Sequence, residues 1–202
     1  MSQMSAQKIV GITGNIASGK STLTKYLIDK GYHVIDTDII TKDVYNSNTY
    51  FKDELVKLLG KDIIVDNKID KTKVSSIVFG DKSKLEKLNK LIHPIIFDKT
   101  NKEIELSIEN IVFVDVPLLF EVGFDKLTNY NIVVSIDLEK QIERLINRNN
   151  FIREEALARI NAQMPQAQKI DLADYEVSNN GSREDLYEQV DKVIEKIKDI
   201  KE

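Results

Sequence analysis

From Lys8 to Thr13 the chain reads Lys-Ile-Val-Gly-Ile-Thr, short, mostly apolar and without polar alternation. That is the pattern of a strand buried on both faces of a parallel sheet. The period then changes. Between Thr22 and Lys30 the apolar positions Leu23, Tyr26 and Leu27 share one helical face, and Gly31 stops the run as a helix C-cap does. His33-Val34-Ile35-Asp36 predicts a second strand, adjoining the first and ending in Asp36-Thr37-Asp38. Residues 39–59 read as helical. Gly60 to Asp70 reads as a turn-rich ribbon with alternating Ile63, Val65 and Ile69. Residues 72–79 and 83–109 are helical again, with a break or kink expected at His93-Pro94.

Ile111-Val112-Phe113-Val114-Asp115 predicts a third buried strand, and Asn131 to Ile136 a fourth. Leu138 to Asn147 and Glu154 to Gln163 read as helices. Tyr175 to Ser178 is the final strand, turning at Asn179-Asn180-Gly181. Ser182 with Asp185 marks the N-terminus of a last helix, whose charged end after Glu195 is expected to fray. Some seventy mainly helical residues thus separate the second strand from the third. A βαβ crossover needs far fewer, so this stretch predicts an inserted subdomain. The alternation elsewhere predicts an α/β fold, a parallel sheet with helices on both faces.

Composition narrows the function classes. With 29 Lys and Arg against 33 Asp and Glu the net charge is −4, so no strong overall field draws the protein to nucleic acid or anionic lipid. No apolar run is long enough to span a bilayer. Met1 to Gln7 lacks the basic and apolar regions of a secretory signal, and a cytoplasmic location is the simplest expectation. Without cysteine there is no disulfide, thiolate nucleophile or thiolate metal ligand.

The densest chemical signal lies between the first strand and the first helix. Gly14-Asn15-Ile16-Ala17-Ser18-Gly19-Lys20-Ser21 fills every fixed position of the phosphate-binding loop G-x-x-x-x-G-K-[ST]. Gly14 lets the chain turn out of the strand, and Gly19 admits a close backbone approach. The loop amides and the helix N-terminus offer donors to phosphate oxygens. In this pattern Lys20 reaches the β- and γ-phosphates and the Ser21 hydroxyl ligates Mg²⁺.

Further candidates cluster at strand ends. Asp36 and Asp38 close the second strand, where a carboxylate accepts a hydroxyl proton or positions metal-bound water; the alternative for Asp38 is N-cap of the next helix. Asp115 closes the third strand, where nucleotide-binding proteins of this type place an acid near Mg²⁺. Glu121 ends the apolar loop Val116-Pro117-Leu118-Leu119-Phe120, whose residues also suit a core. Four of the five arginines, Arg144, Arg148, Arg153 and Arg159, fall within sixteen residues, in a chain that otherwise uses Lys. A rigid fork for phosphate is one reading; salt bridges to Glu143, Glu154 and Glu155 are the other. His33 and His93 have no clustered partners and read as structural. Asn67-Lys68-Ile69-Asp70 matches the guanine-reading N-K-x-D, but no D-x-x-G precedes it and it lies in a polar turn.

Taken together the chain resembles the dephospho-coenzyme A kinases from residue 8 to about 190. The phosphate loop after Ile9-Val10-Gly11-Ile12-Thr13, then Asp36-Thr37-Asp38, Leu91-Ile92-His93-Pro94, Val116-Pro117-Leu118-Leu119-Phe120-Glu121, Arg159-Ile160 with Gln163, and Ala173-Asp174 with Asn179 and Gly181 carry the resemblance. It implies a nucleotide-binding core (1–38, 110–142 and 170–202), a helical substrate-binding insert (39–109) and a lid (143–169). It implies ATP and Mg²⁺, and dephospho-CoA as acceptor, with no nucleic-acid or membrane partner. Carried over, Asp38 is the base for the ribose 3′-hydroxyl, and Lys20, Arg144 and Arg148 stabilise the transferring phosphoryl group. Gly14, Ala17, Ser18, Gly19, Lys20, Ser21 and Thr22 hold the nucleotide phosphates, and Asn179 lies near its adenine. Ser21 and Asp115 serve the metal, and His93, Glu121, Arg159 and Gln163 line or support the acceptor site. Asn15 and Ala17 stand where the family often has Gly, and Glu176 stands where it usually has an apolar residue, marking the last strand as an edge. Another small-molecule kinase with this loop, or a nucleotide-dependent switch, are the alternatives. The oligomeric state stays open.

Overall fold

A computed structural model describes residues 7–200. The segment read as lacking a leader lies outside the described residues up to Ala6. The elements run β1 (Lys8–Gly14), α1 (Lys20–Asp29), β2 (His33–Asp36), α2 (Thr37–Ser47), α3 (Thr49–Leu59), β3 (Ile64–Val65), β4 (Lys68–Ile69), α4 (Lys71–Phe79) and α5 (Lys82–Leu106). They continue with β5 (Ile111–Asp115), β6 (Tyr130–Ser135), α6 (Leu138–Asn149), α7 (Arg153–Asn161), α8 (Gln166–Leu172), β7 (Tyr175–Ser178) and α9 (Arg183–Asp199). The chain divides into two compact units, one of residues 1–35 and 107–202 and one of residues 36–106.

The first unit holds a five-stranded sheet in the order β2-β5-β1-β6-β7. The paired registers are parallel, with Ile12 opposite Asp115 and Gly14 opposite Val134. Every residue of β1 and β5 is buried, as their unbroken apolar runs require. β2 does not adjoin β1, contrary to the sequence expectation: β5 lies between them. The chain leaves β1 to form the outer strand, and the later β5 takes the inner place. β6 and β7 then extend the sheet on the other side of β1. The order therefore reverses at β1, the kind of switch point where open sheets bind ligands.

On one face, Leu23 and Leu27 of α1 and Leu186, Val190, Val193, Ile194 and Ile197 of α9 pack on Val10, Ile12, Phe113, Ile132 and Val134. Gly31, at φ 85, ends α1 in the left-handed region. α9 opens with a capping box between Ser182 and Asp185. Its end does not fray as expected but stays helical to Asp199. The buried Lys8 explains this, because its Nζ donates to the carbonyls of Ile197 at 2.5 Å and Ile200 at 2.6 Å. β7 lies at the sheet edge, where Glu176 Oε1 accepts from the Ser135 hydroxyl at 2.5 Å.

The second unit packs α2, α3 and α4 against the long α5. The helical stretch expected over 39–59 is two helices. Asn48 ends α2 and its side chain accepts from Phe51 N–H to start α3. α5 runs without a break through Pro94. Leu88, Ile92, Ile96, Thr100 and Ile104 form one buried stripe across it, and that packing outweighs the hydrogen bond Pro94 removes. The guanine-reading motif resolves into local chemistry. Asp66 and Asn67 take positive φ in the β3–β4 hairpin, and Asp70 caps α4.

Candidate active site

The phosphate loop follows β1 at the reversal point. Gly19 takes φ 97 and ψ 17, and no side chain caps α1. The amides of Lys20 and Ser21 thus precede the first intrahelical bond, Thr22 N–H to Gly19 O at 2.9 Å. They are open donors at the positive end of a helix.

Side chains hold the outer carbonyls of the loop. Gln141 Nε2 donates to Ile16 O at 2.7 Å, and Asn179 Nδ2 to Ser18 O at 2.6 Å. Arg144 Nη1 donates to Ala17 O at 3.4 Å and Ser18 O at 3.3 Å, while its Nη2 reaches Asn179 O at 3.3 Å. Across a trans peptide the C=O and the following N–H point opposite ways, so the amides of Ala17 and Gly19 face the other side. Ala17 holds φ 61, a conformation unusual for a residue with a Cβ. The space a Cβ on Gly19 needs is filled by Asn179, whose Nδ2 stands 1.8 Å from that position. Glycine is thus required there by a neighbouring side chain.

Asp115 ends β5 beside the loop. Its Oδ1 pairs with Lys20 Nζ, and its Oδ2 lies 2.7 Å from the Thr24 hydroxyl. An ammonium carries three donors, and Asp115 takes one. Ser21 is exposed at the start of α1. Among the described residues no group of three or more His, Cys, Asp or Glu forms a metal cage. A Mg²⁺ ion usually takes one or two protein oxygens and keeps water and phosphate for the rest. Of the two expected ligands the Ser21 side chain is exposed, while both Asp115 oxygens already meet Lys20 and Thr24.

The arginines separate by environment. Arg144 serves the loop. Arg153 forms a two-pronged pair with Glu139 at 2.8 and 2.6 Å, which lowers the Glu139 pKa. Its partner is thus Glu139, where sequence spacing had offered Glu143, Glu154 and Glu155. Arg148 is exposed at the end of α6, its Nε donating to Asn149 Oδ1 at 2.9 Å. Arg159 is exposed on α7 with its guanidinium 4.5 Å from the Phe151 ring centre. Gln163, between α7 and α8, accepts from Ile16 N–H at 2.7 Å.

Glu121 lies 2.8 Å from Nζ of Lys169, which is wholly buried and also donates to Pro117 O at 3.0 Å. The Thr13 hydroxyl meets the same carbonyl at 3.2 Å. The loop after β5 is therefore tied to both β1 and α8. Of its apolar residues Leu119 is buried and Leu118 exposed. In the other unit, Asp36 is the N-cap of α2, accepting from Asp38 N–H at 2.8 Å and Ile39 N–H at 3.3 Å. Capping therefore does not explain Asp38, which is exposed in the first turn. His93 is half-buried on α5, and burial lowers its pKa. His33 Nδ1 meets the Ser107 hydroxyl at 2.8 Å, a structural contact.

Sequence reasoning missed Gln141 and Lys169. Gln141 was findable, since it shares a helical face with Arg144 and Arg148 at i, i+3 and i+7. Nothing in the sequence marks Lys169, because its burial depends on how α8 meets the sheet.

Comparison with known proteins finds relatives over nearly the whole chain. A family model described as Dephospho-CoA kinase matches residues 8–185. A protein of Oceanobacillus iheyensis named Dephospho-CoA kinase is 40% identical over 192 residues, covering 93% of this chain and 96% of its own. The crystal structure of TT1252 from Thermus thermophilus superposes with a TM-score of 0.83 at 33% identity, over 95% of this chain and 98% of that one. A dephospho-CoA kinase from Campylobacter jejuni gives a TM-score of 0.72 at 29% identity, over 94% and 96%.

Proposed function

We infer the activity from one premise: this chain belongs to the dephospho-CoA kinase family. It is an ATP-dependent phosphotransferase that moves the γ-phosphoryl group of ATP to the ribose 3′-hydroxyl of dephospho-CoA, the last step of coenzyme A synthesis. The observation that carries this reading is the match over residues 8–185, which takes in the phosphate loop, the helical unit and the arginine-bearing helices together.

Phosphoryl transfer asks a protein for positioning and charge neutralisation more than for covalent chemistry. The open amides at the start of α1 and the ammonium of Lys20 supply donors to the phosphates. Arg144 braces the loop from its outer side, and Arg148, one helical turn further along α6, supplies positive charge to the group in transfer. Ser21 and Asp115 would hold Mg²⁺, which offsets phosphate charge when bound. Asp38 is the proposed base that takes the proton of the 3′-hydroxyl. His93, Glu121 and Arg159 serve the acceptor side, with Lys169 holding Glu121. Ala17, Ser18 and Thr22 complete the phosphate cradle around Gly14 and Gly19, and Asn179 stands toward the adenine.

In the proposed division, residues 1–38, 110–142 and 170–202 form the core, 39–109 the acceptor-binding insert and 143–169 a lid. A lid that closes over ATP excludes water and favours the hydroxyl acceptor over hydrolysis. Among the described residues no helix is long and apolar enough to cross a membrane. A cytoplasmic location is part of the proposed reading. The test is ADP release from ATP and Mg²⁺ with and without dephospho-CoA. Acceptor-dependent ADP supports the reading. Equal release without acceptor would overturn it in favour of a nucleotide switch or another acceptor.

A further inference from the structure

We propose that Gln163 and Asn15 form a clasp that holds the phosphate loop in its nucleotide-binding shape, so that Gln163 serves the ATP side of the reaction and not the acceptor. The inference rests on the reading of this loop as an ATP site.

The clasp is reciprocal. Ile16 N–H donates to Gln163 Oε1 at 2.7 Å, and Asn15 Nδ2 donates to the backbone carbonyl of Met164 at 3.0 Å. Two adjacent loop residues thus grip two adjacent residues of the α7–α8 connection, each through one side chain. The Ile16 N–H is consequently taken and offers nothing to a phosphate. Gln141 holds the carbonyl of the same residue, so Ile16 is fixed at both polar groups. The apolar side of the loop is fixed as well, because Ile16 and Ala17 pack on the cluster of Ile142, Leu145, Ala156 and Ile160 from α6 and α7.

Asn15 is 4% exposed and its Oδ1 has no hydrogen-bond partner. A buried unpaired acceptor carries a cost, and a glycine at this position would avoid it. What the asparagine gains here is the bond to Met164. The Ser18 hydroxyl is likewise buried and unpartnered, and Ala17 sits at φ 61. A loop with this much local cost keeps its shape only through external contacts. Without the clasp the loop samples other shapes, and nucleotide binding bears the cost of selecting the right one.

The test uses the full chain and ADP with Mg²⁺ as the probe, titrated calorimetrically without acceptor. Gln163→Leu removes the accepting oxygen at similar size and should weaken ADP binding about 5- to 10-fold, the value of one buried hydrogen bond. Gln163→Glu keeps an accepting oxygen and should restore affinity to within about 3-fold of wild type. In turnover assays the KM for dephospho-CoA should stay within about 2-fold in both variants, the pattern of lost donor positioning alone. Asn15→Ala should weaken ADP about 3-fold or more, and it carries the test if Gln163→Leu fails to fold. Wild-type ADP affinity in Gln163→Leu overturns the clasp, whether or not its melting temperature falls. So does a rise in acceptor KM with ADP affinity held. Because ADP binding needs no acceptor, failure to phosphorylate dephospho-CoA would strike the proposed reaction and leave the clasp standing.

Discussion

Replacing Gly19 by alanine should damage nucleotide binding through a clash with Asn179. The new Cβ would stand 1.8 Å from Asn179 Nδ2 and 3.3 Å from Arg144 Nη1. Asn179 has little room to yield, being 7% exposed and donating to Ser18 O at 2.6 Å. Displacing it forfeits that bond, about 1–2 kcal/mol for a buried pair. Holding a residue with a Cβ in the left-handed region adds about 1–2 kcal/mol. The sum is about 2–4 kcal/mol, and it must appear somewhere. If the loop keeps its shape, the melting temperature falls by about 5–15 °C for a chain of this size. If the loop rearranges instead, ADP affinity falls about 30- to 700-fold. Thermal melting and ADP calorimetry on the same sample read both routes. Measured in an Asn179→Ala background, where the Ser18 bond is already gone, Gly19→Ala should cost only the backbone part, about half of its effect in the wild-type chain. Unchanged melting and ADP affinity in Gly19→Ala would refute the reasoning. An identical loss with and without Asn179 would remove Asn179 from it.

Asp38→Asn should lower the turnover rate about 10²- to 10⁴-fold with ADP affinity nearly intact, the range for a lost general base; near wild-type turnover would end its assignment. Lys8→Met should cost about 2 kcal/mol in denaturant unfolding, since charged hydrogen bonds at the end of α9 are lost, with kinetic constants unchanged. An unmoved unfolding midpoint would show that Lys8 does not secure the helix end. His93 carries a pH dependence whose sign is fixed by its lowered pKa. Its neutral form is favoured in the folded state, so its contribution is fully present above the unfolded pKa of about 6.5 and is lost as pH falls through the lower folded value. The stability difference between wild type and His93→Gln should therefore shift against wild type from pH 7.5 to 5.5, and a pH-independent difference would contradict it.

The phosphate loop and the buried strands were legible because each is specified locally. Lys8–Gly14 and Ile111–Asp115 are apolar without alternation, and Gly14 to Ser21 has fixed spacing. Pairings between distant segments were not legible. The place of β5 between β1 and β2 depends on where a strand seventy residues later inserts. The continuity of α5 through Pro94 depends on a stripe of five buried residues that outweighs one local rule. The charged end of α9 looked like a fraying tail because its partner, Lys8, lies at the opposite end of the chain. At the site, the clustering of arginines pointed to Arg144 but not to what it holds, and the family resemblance placed Gln163 on the acceptor side. The structure instead puts the Gln163 side chain on the phosphate loop. Resemblance carries residue identities between relatives, while hydrogen-bond partners have to be read from the fold.

The central claim is transfer to one hydroxyl, and the most direct measurement is the identity of the product. Dephospho-CoA incubated with ATP, Mg²⁺ and the enzyme should give a product heavier by one phosphoryl group, with the new monoester placed on the ribose 3′ position by phosphorus–proton correlation. A 3′-deoxy analogue of dephospho-CoA should give none. Phosphate on another position, turnover of the 3′-deoxy analogue, or ADP formed without any phosphorylated acceptor would contradict the account.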